Sequence, residues 1–262
     1  MRRIGWAALM AGMAAAQGAA AHTPYLEPTS FAPDRDFVTV EAGMSETHAF
    51  VPDMPIRSQG DYLAVGPDGQ AAKAGAPAML KGLAAFDAPL PAEGTYRITT
   101  GDRPGRKTTW AKVDGQWKPV RPNETVPAGA ETQETQSVMK AETYVTRGKP
   151  NAGALKASGQ GFELQPETHP NEIFAGEAFK FTVLQDGKPL SGVAFSISRG
   201  GEVYAEKRYA YAGKTDAAGK AAVTFDQPGA YLLEAHYPAR GEGPMQPVPR
   251  SVTYSLSFEV TR

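Results

Sequence analysis

An all-β fold of two sandwich domains is predicted by short runs that alternate apolar and polar residues and by the turns that bound them. The 262 residues include 28 Gly and 22 Pro, and few stretches carry a helical period. The chain has no cysteine. Burial must therefore hold it together, without disulfides or thiolate metal sites.

Residues 1–21 read as a cleavable export signal. Arg2 and Arg3 form a positive start, residues 4–16 an apolar stretch, and Ala19 and Ala21 a small-residue cleavage site. Cutting after Ala21 frees His22, whereas cutting one residue earlier leaves it internal. The remaining 241 residues carry a formal charge of −3. That balance offers nucleic acid no basic stripe, and no later apolar run approaches the ~18 residues that span a bilayer. The expectation is an exported, periplasmic protein with no nucleic-acid partner.

In the first domain, 22–158, a proline-rich lead over 22–33 precedes strands at 36–40, 47–51 and 61–65. The last of these is closed by Gly66-Pro67-Asp68-Gly69. A strand follows at 94–100, and then a hairpin over 108–120 with Asp114-Gly115 as its two-residue loop. In that register Val113 faces Gln116, Lys112 faces Trp117 and Trp110 faces Pro119. The two indoles then share one face, either as the buried side of the hairpin or as a surface for a sugar or peptide. Residues 121–136 read as an exposed connection, 138–146 as a strand and 148–159 as a second loose stretch. The domain boundary is placed near Ser158.

The second domain, 159–262, is more regular. Strands are predicted at 162–164, 178–185, 193–198, 203–211, 221–225, 231–237 and 252–260. Phe179, Phe181 and Val183 share one face of the second strand; Val252, Tyr254, Leu256, Phe258 and Val260 share one face of the last. Seven short strands in about 100 residues predict a β-sandwich of immunoglobulin or prealbumin type.

The run Asp186-Gly187-Lys188-Pro189-Leu190, then Thr215-Asp216-Ala217-Ala218-Gly219, then Gly229-Ala230-Tyr231 resembles the turn series of prealbumin-like modules in bacterial surface and periplasmic proteins. Three further features extend the match to the whole mature chain: the signal ending before His22, the turn Pro67-Asp68-Gly69, and Gly161-Phe162-Glu163-Leu164-Gln165-Pro166. Together they resemble a periplasmic family catalogued as a domain of unknown function and often labelled a nickel or cobalt uptake transporter component. The resemblance implies metal handling beside a membrane transporter or an outer-membrane receptor.

The chain has four histidines: His22, His48, His169 and His236. Without cysteine, a transition-metal site must draw on imidazole, carboxylate, a terminal amine or methionine. A freed His22 offers its α-amine and its imidazole to one ion as a chelate. The candidate ligand set is His22, His48 and His236, which only the fold can bring together because no short spacing links any pair. The ion would be divalent Ni, Co or Cu. His169, in the loop Glu167-Thr168-His169-Pro170-Asn171, reads as a solvated turn residue. Asp34, Asp36 and Asp53 read as turn residues too, since their spacing lacks an oxygen-dense calcium loop.

No catalytic residue stands out. The chain has no Gly-x-Ser-x-Gly elbow and no phosphate-cradling glycine loop before a helix. The leading expectation is a non-enzymatic binding or accessory protein of a nickel/cobalt-type uptake system. Two alternatives stand beside it: a copper enzyme holding its metal by an N-terminal histidine chelate, and a structural or adhesive sandwich that binds protein or sugar.

Overall fold

The computed structural model describes residues 22–57, 60–204, 208–238 and 246–262. The export signal predicted over 1–21 lies outside them. Every element among the described residues is a strand. The first half contains β1 (Thr23–Pro28), β2 (Phe37–Ser45), β3 (Met54–Pro55), β4 (Leu63–Val65), β5 (Ala71–Lys73), β6 (Ala78–Met79), β7 (Ala84–Pro89), β8 (Gly94–Thr99), β9 (Arg103–Val113), β10 (Gln116–Pro119) and β11 (Thr132–Arg147). The second contains β12 (Phe162–Pro166), β13 (Ala178–Gln185), β14 (Lys188–Pro189), β15 (Ala194–Arg199), β16 (Tyr211–Lys214), β17 (Lys220–Thr224), β18 (Gly229–Tyr237) and β19 (Arg250–Val260).

These strands build three sheets. A ten-stranded central sheet runs β16-β15-β18-β19-β11-β8-β4-β5, with β9 attached along β11 and β10 paired to β9. A five-stranded sheet, β1-β2-β7-β6 with β3 on β2, and a four-stranded sheet, β12-β13-β14 with β17 on β13, complete the fold.

The two smaller sheets pack on opposite faces of the central one, as β11 shows. Alternate residues of a strand point to opposite faces. Val138 and Tyr144 of β11 join the core that contains Phe162, Phe179, Phe181, Tyr254 and Phe258. Ala141 and Val145, of the other parity, join the core that contains Leu26, Val40, Phe86 and Ile98. The chain thus has two apolar cores, and β11 belongs to both.

β11 also pairs in parallel with the last strand, from Gln136↔Arg250 to Thr143↔Ser257. Strand pairing therefore runs without a break from the first half of the chain into the second. The connection read as 121–136 is irregular only to residue 131, because β11 begins at Thr132.

Most of the alternating runs form strands where they were expected. The hairpin register is as derived, with Val113↔Gln116, Lys112↔Trp117 and Trp110↔Pro119. Its loop needs positive φ at both residues, and Asp114 (54°) and Gly115 (76°) supply it. Both indoles are half-buried; the Trp110 Nε1–H donates to Thr135 Oγ1 at 3.1 Å, and the Lys112 ammonium lies 5.7 Å from the Trp117 ring centre.

Three expectations are corrected. The proline-rich lead contains a strand, β1. It lies at an edge of its sheet, where a proline costs no ladder bond. The stretch 47–51 is a turn and not a strand: Phe50 sits at φ 61°, and the Val51 N–H donates back to the His48 carbonyl. The stretch 203–211 is not a continuous strand either. Val203 and Tyr204 form an exposed turn and β16 starts only at Tyr211, while Arg208 lies beside Glu234 at 3.7 Å.

β19 alternates as expected, yet its serine face is buried as well. Ser255 and Ser257 are both buried, and the Ser255 hydroxyl donates to the Pro24 carbonyl of β1. Glu27 of β1 stands directly opposite Glu41 of β2. Burial first, and the Glu41 charge second, hold the Glu27 carboxyl up at about 7. The folded chain therefore keeps a proton that the unfolded chain releases near 4.5. Stability from this group is complete below that value and is lost as pH rises through about 7. Replacing Glu27 by Gln should raise Tm at pH 8 by about 2–4 °C, the equivalent of roughly 1 kcal/mol in a chain of this size. A melting curve at pH 5 should show no such gain.

Candidate functional site

The ladder between β1 and β2 begins at Thr23↔Ser45, so His22 and Glu46 are the next residues out on either side. Their side chains meet, with His22 Nε2 3.8 Å from Glu46 Oε2. The chain then turns and returns to β2 through β3. The neck of this turn is closed by two bonds: the Asp53 N–H donates to the Met44 carbonyl at 2.9 Å, and the Glu46 N–H donates to Asp53 Oδ2 at 2.6 Å. This closure returns the Asp53 carboxylate to Glu46 and His22. One ligand atom from each of the three lies within 4.8 Å of the others.

His22 is half-buried, while Glu46 and Asp53 are exposed. One nitrogen and two oxygen donors at this separation can converge on a single cation of the transition series. The neighbourhood is acidic. Tyr25, one strand step inward, has its phenol held well above the ordinary range by burial and then by the charges of Glu41, Glu27 and Asp53. Such a strip of carboxylates raises the local concentration of cations.

Of the three predicted ligands, only His22 belongs to this cluster. Half-buried His48 lies within the turn, and its carbonyl accepts the Ser45 hydroxyl. His236 is on β18 opposite Thr253, with Nδ1 3.2 Å from the Thr253 hydroxyl oxygen. Among the described residues, neither joins a group of three histidine or acidic donors close enough to share an ion. Asp53, read from the sequence as a turn residue, is both a turn residue and a member of the cluster. Glu46 gave no signal in the sequence, because its partnership with His22 depends on the β1–β2 register.

His169 is not the solvated residue expected. Its Nδ1 accepts the Asn171 N–H at 3.2 Å, while Nε2 lies 2.9 Å from Thr95 Oγ1 and 3.2 Å from the Asn151 carbonyl. Nε2 therefore carries the proton, and burial lowers the pKa of the ring. His169 ties the second half of the chain to β8 of the first.

The anchor of the site lies one residue further in. Thr23 donates its hydroxyl to Glu234 Oε2 at 2.6 Å, and Ser196 donates to Oε1 at 3.0 Å. Arg208 Nη2 is 3.7 Å from the same carboxylate. The Tyr209 phenol is pushed up to about 12 by burial and then by its hydrogen bond to Glu234. Glu234 is 6% exposed. This buried carboxylate on β18 thus gathers β1, β15 and the approach to β16, and it fixes the strand that carries His22.

Comparison with curated proteins finds no match. Among solved structures the chain is similar to the D0-D1 domain of Intimin, at 14% identity over 90% of this chain and 96% of that one, with a TM-score of 0.22. It is also similar to the D00-D0 domain of Intimin, at 10% identity over 90% of this chain and 100% of that one, with a TM-score of 0.21. Superpositions this loose carry no argument about function. Residues 19–239, which include every residue of the cluster, match the family described as "Domain of unknown function (DUF4198)", and the chain belongs to that family.

Proposed function

We propose that the protein is an exported, non-enzymatic periplasmic binding protein that takes a divalent transition ion of the Ni, Co or Cu kind at its mature amino terminus. In this reading it serves a nickel/cobalt-type uptake system, with a membrane transporter or an outer-membrane receptor as its partner. The observation that carries the reading is the convergence of His22, Glu46 and Asp53 within 4.8 Å. Cleavage after Ala21 adds a fourth donor, the α-amine of His22, which forms a chelate with the same residue's imidazole. Both nitrogens bind metal only when unprotonated, so affinity falls in acid.

The test is titration of Ni²⁺, Co²⁺ and Cu²⁺ into protein purified from the periplasm, with its first residue established by N-terminal sequencing. One extra alanine before His22 removes the chelate, and Glu46→Gln with Asp53→Asn removes the oxygen donors. Each change is expected to weaken binding at least tenfold, since even losing a group that only orients a ligand costs about 10–100-fold, whereas His48→Ala and His236→Ala should leave it unchanged. Equal affinity across the whole set would show that any binding is adventitious.

A further inference from the structure

The core that contains Phe179, Phe181 and Phe258 is open along one side. β16 ends the central sheet and β17 ends the four-stranded sheet; among the described residues β16 pairs only with β15, and β17 only with β13. Between these two edges runs a cleft of about 800 Å³. Phe195, Tyr211, Ala221 and Val223 line it, and the last three are half-buried core residues. Ala212, Gly213 and Ala222 add only small side chains to the lining, and the Phe195 ring lies over Gly213.

The charges at the rim are unevenly matched. Glu167 is taken up by Lys220 at 2.8 Å and by the Thr182 hydroxyl at 2.8 Å. Asp216 Oδ1 is occupied by the turn N–H groups of Ala218 and Lys220, both at 2.8 Å. Lys180 and Lys214 are exposed and form no close ion pair among the described residues, although Lys180 adds its charge to that of Lys220 around Glu167. They stand on either side of the cleft, Lys180 opposite Ala222 on β13 and Lys214 at the end of β16.

We propose that this cleft is a docking groove for an extended segment of a partner protein, added as a strand to the free edge of β17. An added strand turns alternate side chains inward and outward. The inward ones would rest on Tyr211, Ala221 and Val223, which calls for apolar residues. The outward ones would lie beside Lys180 and Lys214, which calls for Asp or Glu. The chemistry recognised is therefore an alternating apolar–acidic strand, with backbone bonds supplying affinity and side chains supplying choice. The same lysines protect the edge from indiscriminate pairing.

The experiment uses the full mature chain and a fluorescein-labelled nonapeptide that alternates Val with Glu, read by fluorescence anisotropy. One counterpart replaces each Glu by Lys, and another carries N-methyl groups on alternate amides and cannot complete a ladder. Both are expected to bind at least tenfold more weakly than the parent. The double variant K180E/K214E, changed only at exposed positions, should reverse the preference and favour the Lys peptide. The proposal is overturned if the N-methylated peptide binds as well as the parent, if the double variant keeps the original preference, or if none of the peptides binds.

Discussion

Replacing Glu142 by Gln is expected to cost the fold about 3–5 kcal/mol, as breaking a buried ion pair from one side does. Glu142 of β11 is 1% exposed. Its carboxylate lies 3.6 Å from Lys140 Nζ and 3.9 Å from Arg97 Nε, and it accepts the Tyr254 hydroxyl at 2.8 Å. Burial alone would raise its pKa; the cations Lys140 and Arg97, helped by hydrogen bonds from Tyr254 and Thr99, outweigh burial and hold it below the usual range. Lys140 and Arg97 are themselves nearly buried, and without Glu142 two positive charges in the interior lose the carboxylate they share.

In thermal melts the loss should appear as a fall in Tm of roughly 10 °C at neutral pH, given about 2–4 °C per kcal/mol for a chain of this size. Adding Lys140→Met to Glu142→Gln should recover part of it, because one of those two charges is then removed. A group with a depressed folded pKa stabilises above its unfolded value, and that contribution is lost as pH falls through the folded one. Wild type and variant should therefore draw together in acid. A variant as stable as wild type at neutral pH would mean that the triad contributes no net stability.

The fold class was legible because this chain's strands announce themselves by parity. Phe179, Phe181 and Val183 face the core just as the alternation of 178–184 requires, and Asp114-Gly115 sets the hairpin register through its φ angles. β1 was hidden for a physical reason. It is covered on both faces, Leu26 in one core and Thr23 against Glu234, so it shows no alternation, and its prolines suggested a loop. Local pattern also could not reveal that β11 pairs with β19 across more than a hundred residues, or that one strand serves two cores.

The candidate site was half legible. His22 stood out because export processing would place it at a terminus. His48 and His236 offered only their residue type and a place in a predicted strand, neither of which fixes what stands beside them. The partners that the fold delivers, Glu46 and Asp53, are common surface residues, and only the closed turn between β2 and β3 gives them a meaning.

The substitution that links fold to site is Glu234→Ala. It removes the acceptor for Thr23 and Ser196 and the countercharge of Arg208. Donors left without partners in a buried setting cost about 1–3 kcal/mol each, so a loss of roughly 3 kcal/mol is expected. The damage should concentrate at β1, an edge strand whose first residue is held to the central sheet by the Thr23–Glu234 bond. Hydrogen exchange should quicken across Thr23–Pro28 more than across β13, whose core lies on the opposite face of the central sheet. His22 follows that strand, so its imidazole would no longer be held beside Glu46 and Asp53, and metal affinity should fall at least tenfold even though all three ligands remain. Restoring affinity with Glu234→Gln, which still accepts from Thr23, would show that the hydrogen bond and not the charge positions the terminus. If exchange in β1 is unchanged in Glu234→Ala, Thr23 is not what holds this strand, and Ser255 on the Pro24 carbonyl becomes the anchor to test next.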